Sequence, residues 1–147
     1  MRNFDFMRAL PEEIRTRCPP EWRHFKFATR PWLAQLYFGD ARVHYEVWSL
    51  GSRLSVHPEG SLELGLHFES RDRALNRCLL AGVVHYLIEI KADLGAEWEA
   101  EAWDKGWAKV YKTIPREPFN SRYLEYVARE LAAAIGALQP IMMRLAE

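Results

Sequence analysis

Apolar and polar positions along this chain switch between a helical period and a strand period. Residues 3–17 repeat apolar side chains at helical spacing, but Pro11 lacks the amide hydrogen that a helix interior needs. The pattern therefore predicts a helix that the proline starts, over 11–17. "CPPEWRHFKFATRP" then reads as an irregular or extended connector bounded by prolines. From Trp32 the period is two. "WLAQLYF", the turn "GDA" and "RVHYEVWSL" predict an antiparallel hairpin. "SLELGLHFE" is the clearest strand, with Leu62, Leu64, Leu66 and Phe68 on one face and Glu63, Gly65, His67 and Glu69 on the other. Between these two, "SRLSVH" (52–57) reads either as a short strand or as loop.

Helical period returns after Glu69. Ser70 is a suitable N-cap with Asp72 in the first turn, and Gly95 a suitable stop. Leu75, Leu79, Val83, Leu87, Ile90 and Leu94 predict the buried stripe of one long helix. "EWEAEAW-DKG-WAKVYKTI" predicts a second hairpin whose Asp-Lys-Gly turn ends in a left-handed glycine. A last helix starts near Asn120 or Ser121. Its seam is Leu124, Val127, Leu131, Ile135, Leu138, Met142 and Leu145, and a kink is expected at Pro140. The predicted fold is α+β: a mainly antiparallel sheet of about five strands covered on one face by helices, in the order α-β-β-(β)-β-α-β-β-α. It forms one domain over 1–147, with an N-terminal helix and arm (1–31) and a sheet-and-helix core (32–147).

Composition adds limits. The 147 residues suffice for a real core, and 49% hydrophobic with 27% charged is ordinary for a globular chain with no membrane span. The N-terminus has no continuous apolar run of the kind a secretory signal needs, and Cys18 and Cys78 are isolated. Both features point to a cytoplasmic protein. Formal net charge is zero. A duplex-binding domain needs a basic excess, so nucleic acid is disfavoured; a mildly basic stretch lies within residues 1–31.

Two stretches share a pattern: His44-Tyr45-Glu46 and His67-Phe68-Glu69. In a strand, residues two apart share a face. If the two strands pair directly, one register sets His44 opposite His67, and His44, Glu46, His67 and Glu69 become a divalent-metal candidate. If 52–57 intervenes as a strand, the histidines stand roughly 9–10 Å apart and no single site forms. The plainer alternative, preferred at this level, is that alternation alone puts His and Glu on any half-exposed strand. Glu97, Glu99 and Glu101 share one strand face and read as charges guarding an edge, answered by Lys112. Six tryptophans are many for this length. Trp48 and Trp103 fall among polar neighbours on their strands, and with Trp107 they are the aromatic binding candidates. His85 reads as a core histidine. No phosphate-binding, dinucleotide-binding or nucleophile-elbow motif occurs.

The stretches "SLELGLHFESRDRALNR", "LGAEWEAEAWDKGWAKVY" and "LQPIMMRL" resemble an uncharacterised family of bacterial proteins with a similar "GLHFE", an "EAWDKGW" hairpin and a "QP" in the terminal helix. The layout of residues 32–147 is also similar to a domain of unknown function found alongside bacterial nuclease and restriction-type proteins, although no P-D…E-x-K-like cluster is evident. In element order the chain looks like class I type III secretion chaperones, which dimerise but are strongly acidic. These likenesses imply a bacterial cytoplasmic origin and hand over no catalytic residue.

The expectation is a protein of unknown function acting as a non-enzymatic interaction module or chaperone-like homodimer, joined through the C-terminal helix or a sheet edge, with a protein partner and no expected cofactor. The alternatives are a metal-dependent hydrolase using the His/Glu cluster, and a nucleic-acid-binding accessory domain.

Overall fold

A computed structural model describes residues 1–50 and 60–147; the expectation for 52–57 lies outside them. The described elements are α1 (Asn3–Arg17), β1 (Lys26–Arg30), β2 (Leu33–Tyr37), β3 (Val43–Ser49), β4 (Ser61–Phe68), α2 (Arg73–His85), α3 (Leu87–Leu94), β5 (Glu99–Trp103), β6 (Trp107–Pro115) and α4 (Ser121–Leu145). The described strands form one antiparallel sheet in the order β1-β2-β3-β4-β6-β5. The α+β architecture follows the sequence pattern, with six strands where about five are predicted.

Alternation decides the two faces. Leu62, Leu64, Leu66 and Phe68 of β4 are buried toward the helices, joined by Tyr45 and Val47 of β3 and Val110 of β6. Over this face lie α1 and α4, whose buried residues include Phe6, Met7, Leu10, Ile14, Val127, Leu131, Ile135 and Leu138. Burying each such side chain contributes about 1.5–3 kcal/mol. Phe6 stacks on Phe119 with centroids 4.0 Å apart. Lys112, buried on this side, reaches Glu130 of α4 at 2.9 Å and Glu97 at 3.4 Å, so the expected answer to Glu97 is present and also ties helix to sheet.

Several expectations need correction. The first helix spans Asn3–Arg17 with Pro11 inside it, not 11–17. The apolar side chains before the proline are held by α4 and the sheet, which outweighs one lost hydrogen bond. The connector after it is not irregular throughout: it contains a 3₁₀ turn (Pro20–Trp22) and the edge strand β1. The single helix expected to end at Gly95 is two helices, broken at Tyr86, where φ −101° and ψ 11° leave the helical region. Its cap is Asp72, whose carboxylate accepts from the amides of Ala74 and Leu75, rather than Ser70. Leu75 is exposed and not part of a buried stripe, and His85 is a surface residue beside Tyr86 rather than a core histidine. The Asp-Lys-Gly turn is as expected, with Gly106 at φ 74° and Lys105 also left-handed.

The small residues of α4 are partly covered within the chain, with Ala133 exposed and Ala137 half-buried. Ala132 and Ala134 are buried, and Pro19 reaches within 3.9 Å of where a side chain on Gly136 would begin.

Candidate metal centre

The register that the paired motif required is the one observed. His44 stands opposite His67, Glu46 opposite Gly65 and Trp48 opposite Glu63 on the directly paired strands β3 and β4. All of these face away from the helices. The two imidazoles stack with centroids 5.6 Å apart and planes 11° from parallel.

Around these rings the carboxylates converge. His44 Nε2 lies 3.1 Å from Glu46 Oε1 and 3.8 Å from Glu69 Oε1. His67 Nδ1 lies 3.0 Å from Glu69 Oε2, and its Nε2 lies 3.4 Å from Glu46 Oε2. One donor atom from each of the four residues falls within 4.8 Å of every other. A tetrahedral ion with bonds of about 2.1 Å needs donors about 3.4 Å apart, so small side-chain adjustments close the set. His44, Glu46, His67 and Glu69 can therefore hold a metal ion.

An outer ring of partners fixes these side chains. His44 Nδ1 is 2.8 Å from the carbonyl of Ala41 and donates to it, which leaves Nε2 turned toward the carboxylates. Gln35 places its amide nitrogen 3.2 Å from both His44 Nε2 and Glu46 Oε1. Glu63 meets His67 Nε2 at 3.0 Å, and Lys109 donates to its other oxygen at 3.0 Å. The result is a carboxylate–histidine arrangement of the type that orients metal ligands. Glu69 follows β4, and its amide donates to the Arg42 carbonyl at 2.8 Å. The next residue is stapled by the fully buried Asn76, which accepts from the Ser70 amide and donates to the carbonyls of Ser70 and Gly106.

Burial makes these charges consequential. Glu63 and His67 are each 1% exposed. Burial alone pushes the His67 pKa down, but hydrogen bonds to Glu63 and Glu69 and the charges of Glu46 and Glu63 outweigh it and raise it to about 9. Burial pushes Glu46 and Glu63 up, and this is overcome by hydrogen bonds and charge from His44 and His67 around Glu46, and from His67 and Lys109 around Glu63. Both carboxyls end below their usual range.

Above the carboxylates a cup of about 230 Å³ opens to solvent, lined by Trp32, Leu33, Trp48, Trp103, Glu46 and Glu69. Two of the aromatic candidates thus share a cavity with two of the metal candidates. Trp107 does not line it; that ring packs against Trp103 at 5.4 Å with Lys105 over its face. Trp103 meets the His67 ring edge-to-face at 5.9 Å and has Lys109 4.9 Å over its face. Its Nε1 is buried without a partner among the described residues. Glu99 and Glu101 are answered by Lys91 and the Tyr111 hydroxyl, each at 2.9 Å, so they behave as edge charges.

Sequence reasoning missed Glu63, Lys109, Gln35 and Trp32 as parts of this site. One signal was available: Glu63 lies four residues before His67 and therefore on the same strand face. Comparison with known proteins places nothing beside this arrangement: no protein-family model, curated protein or solved structure matches the chain.

Proposed function

We propose that the chain binds one divalent transition-metal ion through His44, Glu46, His67 and Glu69, and presents it to a small molecule through the tryptophan cup as a metal-dependent enzyme of the hydrolase type. The observation that carries this reading is the facing pair His44 Nε2 and Glu46 Oε1, 3.1 Å apart, with the other nitrogen of His44 committed to the Ala41 carbonyl. Two acceptors at that distance need a proton or a cation between them. Charge is compatible with the cation. In the metal-free protein the carboxylates of Glu46, Glu63 and Glu69 face Lys109 and protonated His67, and a divalent ion with neutral histidines balances the same set. Mixed imidazole and carboxylate ligands without thiolate favour zinc, manganese or iron(II). Glu46 and Glu69 line the cup, so the ion sits at an opening rather than in a sealed structural site. There it can polarise a carbonyl or phosphoryl oxygen of a bound molecule.

The test is metal content after dialysis against zinc, manganese or iron(II), on tag-free protein. About one ion per chain is expected, lost in a His44→Ala/His67→Ala variant that keeps its circular dichroism. Stoichiometry near zero for all three ions, or binding that survives the double variant, would sink the proposal.

A second reading, a homodimer acting as an interaction module, is favoured by the outer edge of β1, which is unpaired among the described residues and carries the half-exposed Phe27. An unpaired strand edge is a template for a second copy. Light scattering at high micromolar concentration should then give twice the 17.2 kDa chain mass, reverting to monomer in Ala28→Pro. A monomeric parent protein rejects this reading.

A further inference from the structure

A second cavity lies on the opposite, helix-covered side of the sheet. Phe38, Val43, Tyr45 and Leu66 form its sheet wall, with Leu79 of α2 and Met142 of α4 closing it, and its volume is about 310 Å³. That is the lower end of the roughly 300–1,000 Å³ typical of small-molecule sites.

One wall is not hydrocarbon. Gln139 of α4 is 8% exposed and lines this space. Its Oε1 accepts from the Tyr45 hydroxyl at 2.8 Å, which fixes the amide orientation. Its Nε2 has no protein acceptor among the described residues and is not sealed from solvent, so an acceptor entering the cavity can take the place of water there. The mouth supplies the remaining constraint. Asp40 is the one titratable acid or base among the lining residues apart from Tyr45, whose burial drives its pKa well up and keeps it neutral. An anion entering here would meet like charge and find no cation among the described lining residues.

We propose that this cavity binds a small uncharged molecule with an apolar body and one carbonyl oxygen, such as a ketone, ester or amide, with that oxygen accepting from Gln139 Nε2. A plain hydrocarbon would fill the space but leave the amide donors unpaired. A carboxylate would place a second negative charge near Asp40. The site is independent of the His/Glu cluster, since Tyr45 and Leu66 project from the face opposite His44 and His67.

The experiment is an NMR titration of the ¹⁵N-labelled full chain with 2-octanone, using octanoate and octylamine as charge controls of equal length. Binding of 2-octanone in the submillimolar range is expected, shifting the Gln139 side-chain amide signals, with octanoate and octylamine each at least tenfold weaker. Leu75→Trp, at a half-exposed position on the rim, should block the site while leaving the remaining spectrum intact. Absence of any Gln139 shift, equal or tighter binding of either charged probe, or undiminished binding by Leu75→Trp would each overturn the assignment.

Discussion

The His67 ring has a carboxylate at each nitrogen, Glu63 at one and Glu69 at the other. As an imidazolium it satisfies both, which is why its pKa stands near 9 against 6.5 for the free side chain. In the metal-free protein this proton stabilises the fold. Its contribution is fully present below pH 6.5 and is lost as pH rises through 9, an amount on the order of 3 kcal/mol, shared with the carboxylates that face it. The lowered pKa values of Glu46 and Glu63 act in the other direction, giving stability that is present above pH 4.5 and lost as pH falls through their folded values. Urea unfolding of the metal-free protein should therefore show a plateau between about pH 4.5 and 6.5 and a decline toward pH 9. His67→Gln should remove most of the alkaline decline; a parallel decline in the variant would locate the titration elsewhere. The pairing of His44 with His67 was legible in the sequence as the outcome of one of two strand arrangements, direct pairing rather than a strand between. Glu63 was legible as a same-face neighbour of His67 on β4, but Lys109 and Gln35 were not, because cross-strand neighbours from β6 and β2 depend on sheet order, which local alternation does not encode.

At the scale of elements, β4 is the strand on which both the fold and the site depend, and Gly65 is its tightest point. A side chain there would begin 2.5 Å from the Val110 carbonyl oxygen and 2.7 Å from Tyr111 Cβ. Neither atom is the free end of a flexible chain, so β4 and β6 would have to separate. Gly65→Ala should cost about 2–3 kcal/mol, read as a lowered urea midpoint at constant slope. A loss under about 0.5 kcal/mol would show that the ladder yields cheaply there. Strands with one apolar face, such as β4, announced themselves in the sequence. β1 did not, because "KFATR" is short and mostly exposed, as an outer strand is allowed to be. The helix boundaries failed for a related reason. Whether the chain continues through Pro11 or breaks at Tyr86 is decided by packing against α4 and the sheet, and periodicity is silent on that.

For the molecule as a whole, the sheet is a partition between two unlike environments. One side holds the aliphatic core and a cavity with a single amide. The other holds a knot of charge under a tryptophan cup, 1–5% exposed at its centre. Composition concealed this division, since a formal net charge of zero says nothing about three carboxylates gathered on one face. The Asn76 staple gives the arrangement a consequence in time. It is buried between the loop that carries Glu69 and the turn between β5 and β6, and it holds the fourth ligand in place through the backbone of its neighbour, without touching the site. Three of the candidate ligands stand on paired strands and the fourth on a pinned loop, so the cluster is assembled without an ion. For the proposed ion, loading would be a matter of stripping its water at the rim of the cup, and emptying would leave the scaffold standing, ready to be refilled.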